Sequence, residues 1–466
     1  MRNKRLWALL LVAVILCGAL AFKVPTLVRA FAGPGEDLAL FLDVLNKVQQ
    51  SYVEEILTEQ LIEGALKGLV ESLDDPYSSY LTPDEYQDFK ASTSGTFGGV
   101  GIVITAKEGY VTVVAPIKGT PGEQAGLQPE DRIIKVNGRD VRGLDIDAAS
   151  RLILGEPGTT VELEVERDDE KLLFTVTREI IEVNPVETQI LADNLGYIRL
   201  TSFNEHAGAR LREALATFSD QDVRGIILDL RANPGGLLSQ ALEVAGEFVP
   251  AGPVVYVKER GRDQKRVLNS NLKAVRWPLV VLVDGGSASA SEIVAGAVQD
   301  REAGIVVGDK TFGKATVQDV ITLKGGGALK ITIGRYLTPN GRSIDQAGIM
   351  PDVVVPTPKQ PVYPPLQLDR TLIPETGGID VAELQQRLRL LEYNIPEIDG
   401  IFTGETVAAV KELQAQLGLD STGVVDEHTL KAINERLELL NERDIQLEKA
   451  IEILKQELAG ASRKAA

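Results

Sequence analysis

One stretch decides the fold, and it reads Val280-Val281-Leu282-Val283-Asp284-Gly285-Gly286-Ser287-Ala288-Ser289-Ala290-Ser291-Glu292-Ile293. Four apolar residues precede two glycines, and small polar residues then open an alanine-rich apolar segment. This pattern predicts a buried strand, a sharp turn and a helix. Such a turn exposes a serine hydroxyl beside helix amides that have no partner within the helix, where an oxyanion can be held.

A serine in this turn needs a base before it can act as a nucleophile. The chain has only two histidines, His206 and His428, and neither lies in a catalytic context. Lys314 is the alternative base, provided that burial lowers its pKa from about 10.4 to near 7. We expect three apolar neighbours to supply that burial: Phe312, Val317 and Val320.

The serine-rich turn, together with Gln299-Asp300 and Thr311-Phe312-Gly313-Lys314, resembles the carboxyl-terminal processing peptidases, tail-specific serine proteases with a Ser-Lys pair. The resemblance implies that Ser289, the middle serine of the run, is the nucleophile. It also implies that Lys314, 25 residues later, is the base, and that Gln318, four residues further on, orients the lysine. All three positions match the pattern of the family.

These residues have two other interpretations. Ser287 and Ser291 are each able to serve as simple helix N-caps. The segment from Gly308 to Lys314 also has the spacing of a phosphate-binding loop after an apolar strand. However, Ala315 replaces the hydroxyl residue that would hold magnesium, and the alternation from Thr316 to Leu323 predicts a strand in place of a helix.

The composition of the 466 residues is that of an ordinary globular chain, with 44% hydrophobic and 25% charged residues. A net charge of −18 argues against a nucleic-acid partner. The single cysteine, Cys17, excludes an intramolecular disulfide and a cysteine metal site. No cofactor and no metal is expected.

The N-terminus carries the signature of export. Basic residues in positions 1–5 precede an uncharged apolar run from Leu6 to Phe22, whose length is at the boundary between a signal peptide and a membrane helix. We expect an uncleaved single-pass anchor with the catalytic part outside the cytoplasm. Secretion after cleavage at Ala30-Phe31-Ala32 is the alternative.

Two amphipathic helices are predicted in the next region, one containing Leu38 to Val48 and the other Leu61 to Val70. Thr82-Pro83-Asp84-Glu85 has the features of a further helix start. The segment from Leu73 to Leu81 resembles the N-terminal region of the same peptidase family, which helps to dimerise the protein. We therefore expect a homodimer.

The region from Phe97 to Ile181 has short alternating strands, a turn at Asn137-Gly138 and a short helix near Ile146 to Leu154. The segment Pro121 to Ile133 resembles the signature of PDZ domains, with Glu130 where glycine is usual. A PDZ domain adds a peptide C-terminus to its sheet as a strand, and loop amides capture the carboxylate. The expected substrates are proteins with accessible apolar C-termini, and the expected peptide-binding residues are Gly98, Gly99, Val100, Gly101 and Ile102.

The region from Glu182 to Pro356 alternates strands and helices, which predicts the α/β peptidase core. Besides the helix after the serine-rich turn, helices are predicted at residues 207–218 and 237–248, and strands at residues 195–200, 225–230, 254–258, 279–283, 305–307, 316–323 and 329–333. Its loop Asp229-Leu230-Arg231-Ala232-Asn233-Pro234-Gly235-Gly236 follows a strand and precedes a helix. The resemblance implies that Gly235 supplies one oxyanion-hole amide and Ala290 the other, with Gly236 as an alternative to Gly235. Asp300 is expected to be structural.

The C-terminal quarter begins with a proline-rich linker, which is stiff and extended. The segments from Val381 to Leu388 and from Asp399 to Val410 resemble a three-helix peptidoglycan-binding module, so peptidoglycan is a further expected partner. The tail beyond it carries apolar residues at steps of four and three, interrupted by Asp444. This is a coiled-coil candidate that would dimerise the chain or fold back on the module.

The predicted fold class is multidomain α/β: a mixed-sheet Ser-Lys peptidase core with an inserted β-rich PDZ domain, a C-terminal three-helix module and a helical tail. The expected parts are a membrane anchor or signal segment, an N-terminal helical region, the PDZ domain, the core, the linker, the module and the tail, at residues 1–30, 31–94, 95–181, 182–356, 357–377, 378–434 and 435–466.

The function predicted is that of an exported serine endopeptidase that binds substrate C-termini through its PDZ domain. The rival from another class is a non-catalytic PDZ and cell-wall-binding scaffold, against which the intact Ser289, Lys314 and Gln318 argue. A wall hydrolase would need a histidine, cysteine or metal-ligand cluster that the core lacks.

Overall fold

The computed structural model describes residues 35–262, 264–357 and 364–465. They divide into two units, one formed by residues 35–86 with 318–332 and the other by the remaining described residues. The predicted apolar segment from Leu6 to Phe22 lies outside the described residues. Within the described ranges, none of the helices combines the length and the apolar character needed to span a bilayer.

The described helices are, in chain order, α1 (Gly35–Ser51), α2 (Thr58–Glu71), α3 (Pro83–Ser94), α4 (Pro121–Ala125), α5 (Ile146–Ile153), α6 (Ala207–Asp220), α7 (Leu238–Gly246), α8 (Ala290–Asp300), α9 (Ile379–Leu390), α10 (Gly404–Gln416), α11 (Glu427–Glu442) and α12 (Ile445–Ala465).

The described strands are β1 (Ser79–Leu81), β2 (Thr96–Gly99), β3 (Ile102–Lys107), β4 (Tyr110–Pro116), β5 (Arg132–Val136), β6 (Arg139–Asp140), β7 (Thr160–Arg167), β8 (Glu170–Thr177), β9 (Glu179–Glu182), β10 (Val186–Leu191), β11 (Leu195–Leu200), β12 (Gly225–Asp229), β13 (Gly252–Glu259), β14 (Arg266–Ser270), β15 (Leu279–Val283), β16 (Ile305–Gly308), β17 (Thr316–Thr322), β18 (Ala328–Leu337) and β19 (Val353–Val354).

The first unit contains α1, α2 and β1, and the predicted helices around Leu38–Val48 and Leu61–Val70 are present. β1 pairs antiparallel with the first residues of β18. At the start of α3, Thr82 Oγ1 accepts from the Glu85 N–H at 3.2 Å, and the Glu85 carboxylate accepts from the Thr82 N–H at 2.8 Å. This reciprocal pair is a capping box and explains why the helix begins there.

The second unit is built around a six-stranded sheet in the order β10-β11-β12-β15-β16-β19. β10 runs antiparallel to β11, and the remaining neighbours are parallel, so the sheet is mixed as predicted. β12 and β15 are buried along their whole length. Because parallel strands are covered on both faces, near-continuous apolar runs such as Leu279–Val283 are expected there.

The two faces of this sheet pack against different helices. Leu228 and Val281 face the cluster formed with α6, α7 and α8. The alternate residues Ile227, Val280 and Leu282 face the other way, against α12. Side chains of a strand alternate between faces, so one helix layer lies on each side of the sheet.

A separate β-rich domain is inserted between β2 and β9, which pair with each other where the chain enters and leaves it. Its five-stranded antiparallel path is β3-β4-β5-β7-β8, with α5 packed on the sheet and its own apolar core. Asn137 and Gly138 have φ of 49° and 76°, as the tight turn predicted between β5 and β6 requires.

The C-terminal module contains α9, α10 and α11 around a core that includes Leu384, Phe402 and Leu413. The tail does not form the single seam that the coiled-coil interpretation proposed. Its helix stops after Glu442 and starts again at Ile445. Ile433 and Leu437 complete the module core, whereas Leu454 packs on the peptidase sheet.

The physical reason for the break is the start of the second helix. Asp444 Oδ1 accepts from the Leu447 N–H at 2.9 Å, which is the arrangement of an N-cap. A residue that caps a new helix cannot continue the old one.

Candidate active site

The predicted strand, turn and helix are present as β15, residues 284–289 and α8. Asp284 shapes the turn: its Oδ1 accepts from the Gly286 N–H and from the Ala232 N–H, both at 2.9 Å. Ser289 ends the turn with φ of 55° and ψ of −109°, a conformation that L-residues rarely adopt. Such backbone strain concentrates at functional sites because the surrounding structure must hold it.

Glu292 links Ser289 to Lys314 through the backbone. Its Oε2 accepts from the Ser289 N–H and from the Lys314 N–H, both at 2.9 Å. Its Oε1 accepts from Thr311 Oγ1 at 2.6 Å and from the Gly313 N–H at 2.7 Å. The side chain is fully buried, and burial raises the pKa of Glu292 although these four donors oppose the shift.

Tyr336 makes a second link between the same two residues. Its hydroxyl lies within hydrogen-bond distance of the Ser289 carbonyl oxygen, at 3.0 Å, and of the Lys314 carbonyl oxygen. Glu292 thus joins the two N–H groups, and Tyr336 joins the two carbonyls. The predicted nucleophile and base are neighbours whose backbones are held on both sides.

Glu292 and Tyr336 had no role predicted from the sequence. Glu292 stands at the third helical position after Ser289, which is capping-box spacing, so a signal for it was present. Tyr336 lies on β18, far along the chain, and no local pattern marks it.

The glycine loop that follows β12 lies directly against the turn. A Cβ added to Gly235 would lie 2.9 Å from both Ser289 Cβ and the Ala290 nitrogen. The Asn233 carbonyl accepts from the Ala288 N–H at 3.1 Å and from Ser291 Oγ at 2.9 Å. Gly235, Ser289 and Ala290, which were predicted separately, are therefore brought together.

In this conformation the Gly235 N–H donates to Asn233 Oδ1 at 2.9 Å. The Ala290 N–H belongs to the first turn of α8, where amides have no carbonyl partner within the helix. An oxyanion that enters this site would meet the Ala290 amide directly and would compete with Asn233 for the Gly235 amide.

Gln318 belongs to the first unit, on β17, where its Nε2 donates to Thr332 Oγ1 at 3.2 Å. Val320, expected to help cover Lys314, is in the same unit. Phe312, expected to do the same, is 58% exposed. Its neighbours Thr311 and Gly313 both turn toward Glu292, so the side chain between them faces away.

The other serines of the run are held by the loop after β12. Ser287 Oγ donates to the Leu230 carbonyl at 2.8 Å, and Ser291 Oγ donates to the Asn233 carbonyl. Asp300 lies at the opposite end of α8 from Ser289, where it pairs with Arg342 and accepts from the Asn340 N–H at 2.8 Å. After Lys314 the chain enters strand β17, whereas a phosphate-binding loop would open a helix.

The predicted carboxylate-binding residues lie where β2 leads into β3. The Val100 carbonyl accepts from the Gly122 N–H at 2.6 Å, and the Gly101 carbonyl accepts from the Ile117 N–H at 2.9 Å. Gly101 has φ of +74°, and an added Cβ would lie 2.3 Å from the Thr120 side chain. β3 is an edge strand with α5 beside it, so one strand edge is open for pairing.

Metal-binding clusters of histidine, cysteine, aspartate and glutamate are not found among the described residues.

Comparison with known families assigns four parts of the chain. Residues 194–355 match peptidase family S41, residues 112–167 match a PDZ domain, and residues 377–433 match a peptidoglycan binding domain. Residues 28–85 match the N-terminal domain of the activating protease CtpB.

Whole-length relatives agree with these assignments. The carboxy-terminal processing protease CtpA of Bacillus subtilis is 36% identical over 89% of this chain and 91% of the relative. CtpB of the same organism is 35% identical over 87% of both chains. A carboxy-terminal-processing protease of Bartonella bacilliformis is 39% identical over 70% of this chain and 77% of the relative.

Among solved structures, a photosystem II D1 C-terminal processing protease is 31% identical, with a TM-score of 0.41, and the match covers 68% of this chain and 92% of that chain. A peptide complex of the PDZ domain of a carboxy-terminal protease from Vibrio cholerae is 29% identical, with a TM-score of 0.18, over 19% of this chain and 99% of that chain.

Proposed function

The chain belongs to peptidase family S41 as a carboxy-terminal processing serine protease with a PDZ domain, and from that premise we propose that it cleaves peptide bonds with a Ser289–Lys314 pair. Ser289 is the nucleophile, Lys314 the base, and Gln318 the residue that orients the lysine amine. The amides of Gly235 and Ala290 form the oxyanion hole.

One observation carries this proposal. Glu292 and Tyr336 tie the backbone of Ser289 to the backbone of Lys314, through both N–H groups and both carbonyls. A fold has no general reason to fasten a strained serine to a lysine that is distant in the sequence. Holding a nucleophile and a base in register is a reason, because misplacement of reacting groups by about 1 Å can cost about 100-fold in rate.

The reaction proceeds in two steps. Neutral Lys314 takes the proton of Ser289, whose oxygen attacks the peptide carbonyl, and the negative charge that develops is stabilised by the two amides. Lys314 returns the proton to the leaving amine, and the acyl-enzyme forms. Water, deprotonated by the same lysine, then attacks the acyl carbonyl. The bond to the Ser289 oxygen breaks, and Lys314 returns the proton to that oxygen, which restores the hydroxyl and the neutral lysine.

Substrates are recognised through their C-termini. The open edge of β3 accepts an extended C-terminal segment as an added strand, and the loop from Gly98 to Ile102 receives the carboxylate.

The module matched at residues 377–433 binds peptidoglycan, and the N-terminal segment directs the chain out of the cytoplasm and anchors it to the membrane. The protein works as a homodimer.

The test is cleavage of an unstructured protein with an apolar C-terminus by the purified chain. Ser289→Ala and Lys314→Ala should each lower kcat about a thousandfold or more, because nucleophile and base act as a unit. Lys310→Ala is the matched control, since this lysine is exposed and lies only four residues away; its kcat should stay within twofold.

The pH dependence of the cleavage rate is a second test in the same experiment. A lysine base works only when neutral, so the rate should rise toward alkaline pH. A rate that is flat between about pH 6 and 9 would contradict the lysine mechanism. A chain that binds the C-terminal peptide and cleaves nothing would favour a scaffold.

A further inference from the structure

The loop that carries Gly235 contacts residues that lie outside the peptidase region of the sequence. At the end of β12, the buried carboxylate of Asp229 accepts from the Tyr197 hydroxyl at 2.7 Å and from the Arg231 N–H at 2.9 Å. The Arg231 guanidinium bonds to the same carboxylate, with Nη2 at 2.6 Å from Oδ2. The first turn of the loop is therefore folded around Arg231.

The outer side of the same guanidinium contacts the C-terminal helix. Arg231 Nη1 and Nη2 donate to the two carboxylate oxygens of Asp444, at 2.7 and 2.6 Å. This is a bidentate pair, the strongest geometry for arginine and a carboxylate. Gln446 adds a third contact, accepting from Arg231 Nη1 at 3.1 Å.

Asp444 is itself held in place. It caps α12, whose apolar residues Ala450 and Leu454 are fully buried against the sheet. Gln446 is also buried, and its Nε2 donates to the Val355 carbonyl at 2.7 Å. The partner of Arg231 thus belongs to a packed helix, and the ion pair joins that helix to the loop.

The residues on either side of Arg231 contact the nucleophile turn. The Leu230 carbonyl accepts from Ser287, and the Ala232 N–H donates to Asp284. Movement of Arg231 would displace these contacts, and with them the Gly235 backbone that lies against Ser289. The ion pair is therefore placed to determine the geometry of the oxyanion site.

We propose that Asp444, at the start of the C-terminal helix, is a positioning residue for the peptidase site, acting through Arg231 on the loop that carries Gly235. This rests on the proposed function of that loop. The start of the helix after the peptidoglycan-binding-like module then holds the loop, although it contacts no substrate. Only Arg443 separates Asp444 from the end of α11 in that module.

Two substitutions at Asp444 separate its two roles. Asp444→Asn keeps an N-cap acceptor of the same size but loses the charge, because asparagine and aspartate cap helices about equally well. Asp444→Glu keeps the carboxylate and loses the preferred cap. We expect kcat to fall about tenfold or more in the asparagine variant and less than threefold in the glutamate variant, with KM within twofold in both.

Lys455→Gln is the matched control. Lys455 lies on the same helix and pairs with Asp193 at 2.5 Å, next to the start of β11. Asp229, which holds Arg231, lies at the opposite end of the sheet, where the neighbouring strand β12 ends. Its loss removes an ion pair between the same helix and the same sheet, away from the loop. Its kcat should stay within twofold.

Amide hydrogen exchange supplies a readout that does not need activity. Exchange at the amides of residues 232, 233, 235 and 236 should be at least tenfold faster in Asp444→Asn and unchanged in Lys455→Gln, because local opening of the loop is what the pair prevents. Normal kcat and normal exchange in Asp444→Asn would overturn the proposal, as would an equal loss in Lys455→Gln. If the unmodified chain cleaves nothing, the peptidase proposal fails, and the exchange result still decides whether Asp444 holds the loop.

Discussion

At the scale of single residues, the site depends on one buried carboxylate. Glu292 accepts four hydrogen bonds, and all four donors come from the backbone or side chains of the segments that carry the predicted nucleophile and base. Burial raises the pKa of Glu292 in the folded protein. Its favourable contribution to stability is therefore present at pH values below the ordinary glutamate pKa and is lost as the pH rises through the folded pKa. Ionisation of Glu292 in the folded protein therefore costs stability, and the side chain is kept for its geometry.

We predict that Glu292→Gln lowers kcat about tenfold or more. The glutamine NH₂ would replace an oxygen that accepts hydrogen bonds and would itself face a donor. At least one buried N–H would then be unpaired, at a cost of about 2 kcal/mol. Kinetics and thermal unfolding measure the two effects. Glu247→Gln is the control, because burial also raises the pKa of Glu247 but its charge partner Arg212 lies on α6. Normal kcat in Glu292→Gln would show that the bridge is dispensable.

At the scale of elements, the loop after β12 depends on a glycine that cannot be replaced. Gly235 has φ of +102°, and an added Cβ would lie 2.7 Å from the Ala288 carbonyl oxygen. We predict that Gly235→Ala lowers the free energy of unfolding by about 2–4 kcal/mol and kcat by about 100-fold or more, because the loop must move away from Ser289. Denaturant unfolding and kinetics measure these changes.

Gly246→Ala is the matched glycine control for that prediction. Gly246 ends α7, and an added Cβ there would meet no heavy atom within 4 Å. Alanine has the higher helix propensity, so stability should stay equal or rise by up to about 1 kcal/mol. Equal effects of the two substitutions would contradict the steric argument.

The C-terminal helix α12 is the second element that the site requires. Leu454 is fully buried on the face of the sheet opposite α8. Leu454→Ala should lower the free energy of unfolding by about 3 kcal/mol through lost burial and a cavity. Leu439→Ala should change it by less than about 0.5 kcal/mol, because Leu439 is 61% exposed. A small effect at Leu454 would mean that the helix is not packed on the sheet in solution.

The Arg231–Asp444 pair gives this element a pH dependence. Burial alone would raise the pKa of Asp444. The hydrogen bonds with Arg231, the bonds from the Leu447 and Gln446 N–H groups and the charge of Arg231 together outweigh burial, so the pKa is lowered. The stability it contributes is then present above about pH 4 and is lost as pH falls through the lowered value. The difference in unfolding free energy between the wild type and Asp444→Asn, about 1 kcal/mol after allowance for solvent screening, should hold from pH 5 to 8 and shrink below about pH 4.

At the scale of the whole molecule, the proposed function assigns substrate capture to the PDZ domain and cleavage to the peptidase core. We predict that amidating the C-terminus of a protein substrate raises KM about tenfold or more with little change in kcat, because the loop amides lose the carboxylate. Steady-state kinetics on the free-acid and amidated forms measure this. A protein ending in aspartate is the control for the apolar requirement. Unchanged KM would show that capture does not use the C-terminus, and a parallel fall in kcat would show that the PDZ domain also gates the site.

Local pattern predicted most of the fold. Leu195–Leu200 and Leu279–Val283 are strands with the predicted bounds, and the other core elements are within a few residues of theirs. β10, β14 and β19 were not predicted. β10 is exposed along four of its six residues, so its sequence carries no strong apolar signal. The tail was predicted to form one coiled-coil seam because its apolar residues are regularly spaced. Spacing alone does not show which surface each half of the tail packs against.

By itself, then, the sequence determined the elements of this protein, its family and the residues proposed for its chemistry, because each is written in neighbouring residues or at short fixed spacings. Tertiary structure alone decided that Glu292 and Tyr336 tie Ser289 to Lys314, and that Asp444 reaches Arg231. Those contacts join residues that are up to 213 positions apart. Whether these contacts form depends on which faces of the helices and the sheet pack together. That packing is decided only when helices cover the whole sheet.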